Sequence, residues 1–319
     1  MLRIGVDLGG TKTEGAVMDA GGNILFRERR PTPAAQGYEA VLNNIRDIVR
    51  HLETQAGGVR CPVGIGTPGA VSTVTGALKN SNTTCLIGKP LRDDLEKLLG
   101  RPVRIANDAN CFALSETTDG AARGAPVVFG VILGTGVGGG IVISGQLIEG
   151  LHHIAGEWGH NFLGREIGRA SARPEGASHN MSEEDPLCYC GRRGCVETFL
   201  SGPGLAHDYA AHGGKPGLNA EAIVAAATQG DSIAEAAMQR YFDRFGRALA
   251  AVINILDPHV IVLGGGMSNI KRLYTEGRER VARHVFNDEL RTQILPNVHG
   301  DSSGVRGAAQ LWPTDHGLL

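Results

Sequence analysis

Cys188, Cys190 and Cys195 stand within the eight residues CYCGRRGC. Three thiolates at that spacing, turned by Gly191 and Gly194, suit a metal ion, and a histidine would complete a tetrahedral Cys3His zinc site. His160 and His179 are the upstream choices. Four protein ligands leave no open position, so such a zinc would be structural. Three buried free thiols are the alternative. The other cysteines, Cys61, Cys85 and Cys111, are scattered.

A second group of residues can handle hydroxyls. Asn107-Asp108-Ala109-Asn110 follows a strand-like run, and a carboxylate at a strand end can take the proton of a substrate hydroxyl. The competing task for Asp108 is to cap a helix. Gly156-Glu157-Trp158-Gly159-His160 sets a carboxylate and an imidazole three apart, on one face of a helical turn. Glu197 lies just past the last clustered cysteine. Carboxylates and amides converging on one cavity suit a sugar, although each taken singly reads as a surface group.

Three glycine loops follow strand-like runs: Gly9-Gly10-Thr11, Gly134-Thr135-Gly136 and Gly264-Gly265-Gly266. Backbone amides in such turns can cradle phosphate oxygens, and threonine hydroxyls add donors. A strand rather than a helix follows the first two, so neither a Walker loop nor a dinucleotide fingerprint fits. The segments IGVDLGGTKTEGAVMD and FGVILGTGVGGGIVIS repeat at an offset of 125, with Gly5/Gly130, Val6/Val131, Gly9/Gly134, Gly15/Gly140 and Val17/Val142 identical. That pattern predicts two lobes of like topology. Asp7 stands where the second copy has Ile132. A carboxylate beside a phosphate loop suits Mg2+, with a local turn cap as the alternative.

These loops need elements to hold them. Strands are predicted at 2–8, on both sides of the Ala20–Asn23 turn, at 62–66 and at 102–106. Helices are predicted at 37–55, from Asp108, at 219–229, 231–256 and 269–286, and in the tail GVRGAAQLW. Residues 163–187 read as a long surface loop. Alternating strands and helices indicate an α/β fold. The 319 residues suggest two domains, and 42% hydrophobic with 20% charged residues suits a globule with a core. A net charge of −2 without basic runs gives no sign of a nucleic-acid partner. No apolar run is long enough to span a membrane, and the N-terminus lacks a signal-peptide layout, so a cytoplasmic protein is expected. Glycine is in excess, 47 residues. A resemblance to a known family, carried by the motifs below, implies that ten of them (Gly9, Gly10, Gly134, Gly136, Gly138–Gly140 and Gly264–Gly266) belong to nucleotide loops, and Gly64, Gly66 and Gly69 to a sugar-side loop.

The motifs DLGGT at 7–11, GIGTPG at 64–69, NDAN at 107–110, LGTGVGGG at 133–140, GEWGH at 156–160, CYCGRRGCVET at 188–198 and LGGGMS at 263–268 together resemble the ROK sugar kinases. The resemblance covers nearly the whole chain. It implies a two-lobed actin-like ATPase (ribonuclease H-like) α/β fold with duplicated topology and a central cleft holding ATP and Mg2+. The implied partition is a small lobe at 1–118, onto which a terminal helix at about 304–319 packs back, and a large lobe at 119–303 with a zinc loop at 160–197. It implies Asp108 as general base, and Gly69, Asn82, Asn107, Glu157, His160 and Glu197 around the sugar. Asp7, Gly9, Gly10, Thr11, Lys12, Gly134, Thr135 and Gly136 would surround phosphate and metal, with Gly265 and Gly266 near adenosine. Zinc is implied on His160, Cys188, Cys190 and Cys195. The 28 positions from His160 to Cys188 keep His179 in competition, but His160 lies in the matched motif. A homodimer is implied by the resemblance alone.

The family includes repressors with an added DNA-binding module, which this sequence does not show. A sugar sensor without catalysis would lack the base or the phosphate loops, and a filament-forming ATPase would not need the sugar residues or zinc knuckle. Within the kinases, LKNSNT, GEWGHN, DPLCYCG and HGDSSGVRGAAQLWP most resemble fructokinases of the manno(fructo)kinase type. Fructose is therefore the first expected substrate, N-acetylglucosamine the alternative, and glucose a weaker one.

Overall fold

The structure, a computed structural model, describes residues 1–81, 83–163 and 185–313. Turn chemistry builds the first sheet. Strand β1 (Arg3–Leu8) passes through the glycine loop into β2 (Lys12–Met18). The Asp19 carboxylate accepts from the Asn23 backbone at 2.8 Å, closing the turn that returns the chain as β3 (Ile24–Pro31). Helix α1 (Tyr38–Gln55) buries the stripe Val41, Leu42, Ile45, Ile48, Val49 and Leu52. Then come β4 (Val63–Thr67), the ribbon β5 (Ala70–Val71) and β6 (Leu78–Lys79), α2 (Leu91–Leu99), β7 (Val103–Asn107) and α3 (Asp108–Thr118). The sheet order is β3-β2-β1-β4-β7, with β1, β4 and β7 parallel and the β1–β2–β3 meander antiparallel.

The second half repeats this plan. It runs β8 (Val127–Leu133), β9 (Val137–Ile143), β10 (Gln146–Ile148), α4 (Glu197–Leu200), α5 (Gly202–Ala211), α6 (Ala220–Thr228), α7 (Ser232–Leu256), β11 (Val260–Gly264), α8 (Glu276–His284), β12 (Gln293–Pro296) and α9 (Ser303–Gln310). Its sheet order, β10-β9-β8-β11-β12, matches the first strand for strand and direction for direction. The duplication is real, but its register is not the constant offset of the sequence. Leu8 pairs with Thr13 while Leu133 pairs with Val137, so the second loop is one residue shorter. Gly15/Gly140 and Val17/Val142 are therefore out of structural step by one residue.

Helix α7 is capped by Asp231, whose Oδ1 accepts from Ile233 and Ala234 N at 2.9 Å each, and it ends at Asp257 (φ +46) before Pro258. The predicted helix at 269–286 is broken instead. A single turn at Lys271–Tyr274 stops at Thr275 (φ −116, ψ −84), and α8 starts afresh, which lets both Leu273 and Val281 reach the core.

Two helices lie between the sheets and cross between halves. Helix α3 packs on β8 and β9 of the second sheet, and α9 packs on β1 and β4 of the first, with α3 and α9 against each other. Small residues set how close they come: a Cβ on Gly307 of α9 would collide with the Cys111 carbonyl of α3. Trp312 Nε1 donates to Val63 O at 2.7 Å, and Arg3 donates to Trp312 O at 2.9 Å, tying the described chain end to the first sheet. The two crossings are joined at Glu116, a fully buried carboxylate on α3. It accepts from Ala121 N, Val298 N, His299 N and Ser303 Oγ at 2.9–3.2 Å. Among the described residues no helix is long and apolar enough to cross a membrane.

Candidate active site

Where β7 ends and α3 begins, Asn107 is the N-cap, its Oδ1 accepting from Ala109 N at 2.8 Å. Asp108 is thus the first helical residue rather than the cap, and its own Oδ1 also meets Ala109 N at 2.8 Å. Burial pushes the Asp108 carboxyl above its ordinary value, only partly offset by backbone donors from Ala109 and Asp108. Such a carboxyl holds a proton more readily near neutral pH, as a general base must. The free amide of Asn107 donates to Gly69 O at 3.2 Å, which draws the β5–β6 ribbon to the site. Gly69 has φ +88, and its missing Cβ leaves room for the Lys79 carbonyl. Asn82, on the same segment, lies outside the described residues.

Asp7 lies on β1, directly across from Glu14 on β2. Glu14 is paired with Arg29 (2.8 Å from Nε) and Arg27 (3.3 Å). Burial, then the charges of Asp108 and Glu14, raise the Asp7 carboxyl to about 6, against the pull of Lys12 and Arg29. The start of α9 is kept open beside it, since a Cβ on Gly304 would lie 2.7 Å from Asp7 Oδ2. A carboxyl raised in the folded state favours folding at low pH, and that contribution is lost as pH climbs from about 4 through about 6. Asp7→Asn should therefore stabilise the ligand-free chain at pH 7 by about 1–3 kcal/mol while changing little at pH 4. Urea unfolding at both pH values checks this; equal or lower stability at pH 7 would contradict it.

Strand β9 brings the sugar-side residues in. Gly138, Gly139 and Gly140, assigned to a nucleotide loop from sequence, have a packing task instead. A Cβ on Gly140 would lie 2.7 Å from Ala109 O on α3, and one on Gly139 would lie 2.8 Å from Gly156 O. Because side chains alternate along a strand, α3 seats on one face and the 156–160 turn on the other. Gly64 likewise serves α9, where a Cβ would strike the Ala308 carbonyl, and does not belong to a sugar loop. Trp158 anchors the turn, its Nε1 donating to Gly138 O at 2.9 Å and its ring edge-on to Phe129 at 5.8 Å. Burial raises the Glu157 carboxyl. Asp108 and Glu197 add to the rise, while His160 and Lys79 oppose it. Asp108, Glu157, His160 and Glu197 are thus neighbours, as is Lys79, which sequence reading passed over.

Glu197 opens α4, and its Oε2 accepts from Val137 N at 2.9 Å, at the end of the Gly134–Gly136 loop. Its Oε1 lies 3.9 Å from Cys188 Sγ. The ligating atoms of His160, Cys188, Cys190 and Cys195 all lie within 4.8 Å of one another. Cys188 Sγ is 3.7 Å from His160 Nδ1, and Cys190 Sγ is 3.7 Å from Cys195 Sγ. Tetrahedral ligands at a zinc–sulfur distance of about 2.3 Å stand roughly 3.7 Å apart, so this donor set fits zinc. His179 lies outside the described residues.

A cavity of about 1020 Å3 opens from Gly134 and Thr135 between α5, α6 and the turn at Gly266. Its walls include Ala206, Leu218, Val224 and Ile270, with His207 and Asn219 as polar groups. Helix α5 starts against the glycine loop: Ser201 Oγ accepts from Gly204 N at 3.1 Å, and Gly202 N donates to Gly134 O at 2.8 Å. Gly266 lines the cavity, while Gly265 (φ +78) sits over the Leu133 carbonyl and makes the turn. Gly9, Gly10, Thr11 and Lys12 form the other loop, following Asp7 along the chain and closed by Gly9 N donating to Lys12 O at 2.9 Å. Helix α5 escaped sequence reading, whereas α6 is the helix predicted at 219–229. Ser201 before Pro203 was the available signal for α5, but its mixed small and polar residues show no apolar stripe.

Two sheets of like topology, paired glycine loops, a buried carboxyl at Asp108 and a cavity of about 1020 Å3 frame the site. The chain belongs to the ROK family, whose model matches residues 3–315. It is 41% identical over 313 residues to an N-acetyl-D-glucosamine kinase of Escherichia coli O1:K1 / APEC, covering 98% of this chain and 99% of that one. The counterpart from Citrobacter koseri is 42% identical over the same shares. The ROK hexokinase of Thermus thermophilus superposes with a TM-score of 0.81 at 31% identity, covering 97% of both chains. A ROK glucokinase from Streptomyces griseus, in complex with glucose and AMPPNP, superposes with a TM-score of 0.74 at 29% identity, covering 98% of this chain and 99% of that one. The fold is the actin-like ATPase fold, and the chain is an ATP-dependent sugar kinase acting on a hexose.

Proposed function

We propose that the protein phosphorylates N-acetylglucosamine at the expense of ATP. The carrying observation is the end-to-end likeness, at 41–42% identity, to N-acetyl-D-glucosamine kinases. It supports the amino sugar over fructose, the first expectation from the motifs. In this reading Asp108 takes the proton of the attacking hydroxyl. Asn107, Glu157, His160 and Glu197 hold the sugar's other polar groups, with Gly69 and Asn82 on the wall. Gly9, Gly10, Thr11, Lys12, Gly134, Thr135 and Gly136 receive the phosphates, and Gly265 and Gly266 border the adenosine. Asp7 would hold Mg2+, which would supply positive charge to the phosphates, and the mutual repulsion of Asp7 and Asp108 is what such a cation would relieve. His160, Cys188, Cys190 and Cys195 would hold a structural zinc, and ligation through one ring nitrogen of His160 would determine what the other can do. The two lobes divide near residue 118, and the protein works as a homodimer.

ADP release is measured with N-acetylglucosamine, fructose, mannose and glucose. The expected result is the highest kcat/KM for N-acetylglucosamine; a higher value for fructose would restore the fructokinase reading.

A further inference from the structure

The ring of His160 shows Nδ1 to Cys188 Sγ, and its Nε2 lies 3.0 Å from the hydroxyl of Tyr189. The two rings meet edge to face at 5.2 Å. Tyr189 belongs to the cysteine knuckle, between two of its thiols, yet the residue is 73% exposed. A histidine that ligates through Nδ1 carries its proton on Nε2. With Nδ1 on the metal, Nε2 would donate to the phenol oxygen.

A sugar hydroxyl bound at this place would accept from His160 Nε2–H just as the phenol oxygen does. We propose that Tyr189 is a displaceable latch: its hydroxyl occupies the seat of a sugar hydroxyl on His160, and substrate must expel it to bind. This rests on the kinase reading of the site. The ring has somewhere to go, since a side cavity of about 320 Å3, lined by Tyr189, Glu197, Thr198, Thr135 and His207, adjoins the seat. High exposure means that the swing unpacks little of the described structure. The latch keeps the imidazole paired in the empty cleft, and it sets a threshold that only a sugar with a hydroxyl in the right orientation can meet.

The test is calorimetric titration of N-acetylglucosamine into the full-length wild type and Tyr189→Phe, with zinc measured in both. The variant keeps the ring and removes one exposed hydroxyl. Losing a competitor worth one hydrogen bond should tighten Kd about fivefold. An equal or weaker Kd in Tyr189→Phe, at unchanged zinc content, overturns the latch and leaves the kinase reading intact. If the wild type binds fructose and not N-acetylglucosamine, the sugar assignment fails and the same pair of titrations is run with fructose. If it binds none of the hexoses, the kinase reading fails and the latch falls with it.

Discussion

Asp108→Asn should lower kcat by about 10²- to 10⁴-fold while the sugar still binds. The geometry makes this substitution clean. Asn107, not Asp108, caps α3, so removing the charge leaves the cap bond to Ala109 N in place. An amide can keep the local bond to Ala109 N but cannot take the hydroxyl proton. Burial is the main reason that the wild-type carboxyl sits above its ordinary value. The acid limb of the rate profile should accordingly fall at a higher pH than an exposed aspartate would give, with activity lost as pH drops and the carboxyl protonates. Steady-state kinetics with a parallel sugar titration separates the two effects. A variant that turns over at the wild-type rate would remove Asp108 from the base role; one that fails to bind sugar would make it a binding residue.

The second large effect is expected from the metal. Native protein should carry one zinc per chain, and Cys195→Ser should lose it and weaken sugar binding by more than tenfold. The reason is mechanical. The knuckle is a tight turn, with Cys188 N donating to Arg192 O at 2.8 Å, and it runs directly into α4, where Glu197 holds the glycine loop at Val137. His160 approaches from the opposite direction, anchored by the Trp158 turn. Zinc would join these two arms, and in small zinc domains such binding contributes about 10–16 kcal/mol to folding. Without it, His160 and Glu197 would lose their relative position. Metal analysis that finds no zinc in native protein, or finds it fully retained in Cys195→Ser, would sink the assignment.

Much of the site was legible because its chemistry is local. A capped strand end at NDAN, a thiolate knuckle and glycine loops are each set by a few neighbouring residues. The duplication was also visible, although the one-residue difference between the two loops blurred its register. What sequence misread were the glycines of β9 and β4. A glycine that lets a helix approach a sheet looks the same in sequence as one that lets a phosphate approach a loop.

The residue types therefore determined the chemistry available to this protein: a base, a set of hydroxyl-binding carboxylates, phosphate loops and a thiolate cluster. Only the tertiary structure decided how they meet. Helix α3 leaves the first sheet and seats on the second, α9 returns to the first, and Glu116 joins their crossings. The proximity of Asp7 to Asp108, and of His160 to Tyr189, arises from contacts between segments far apart in the chain. No local pattern encodes such distances, because they are set by how closely small residues allow helices and sheets to pack.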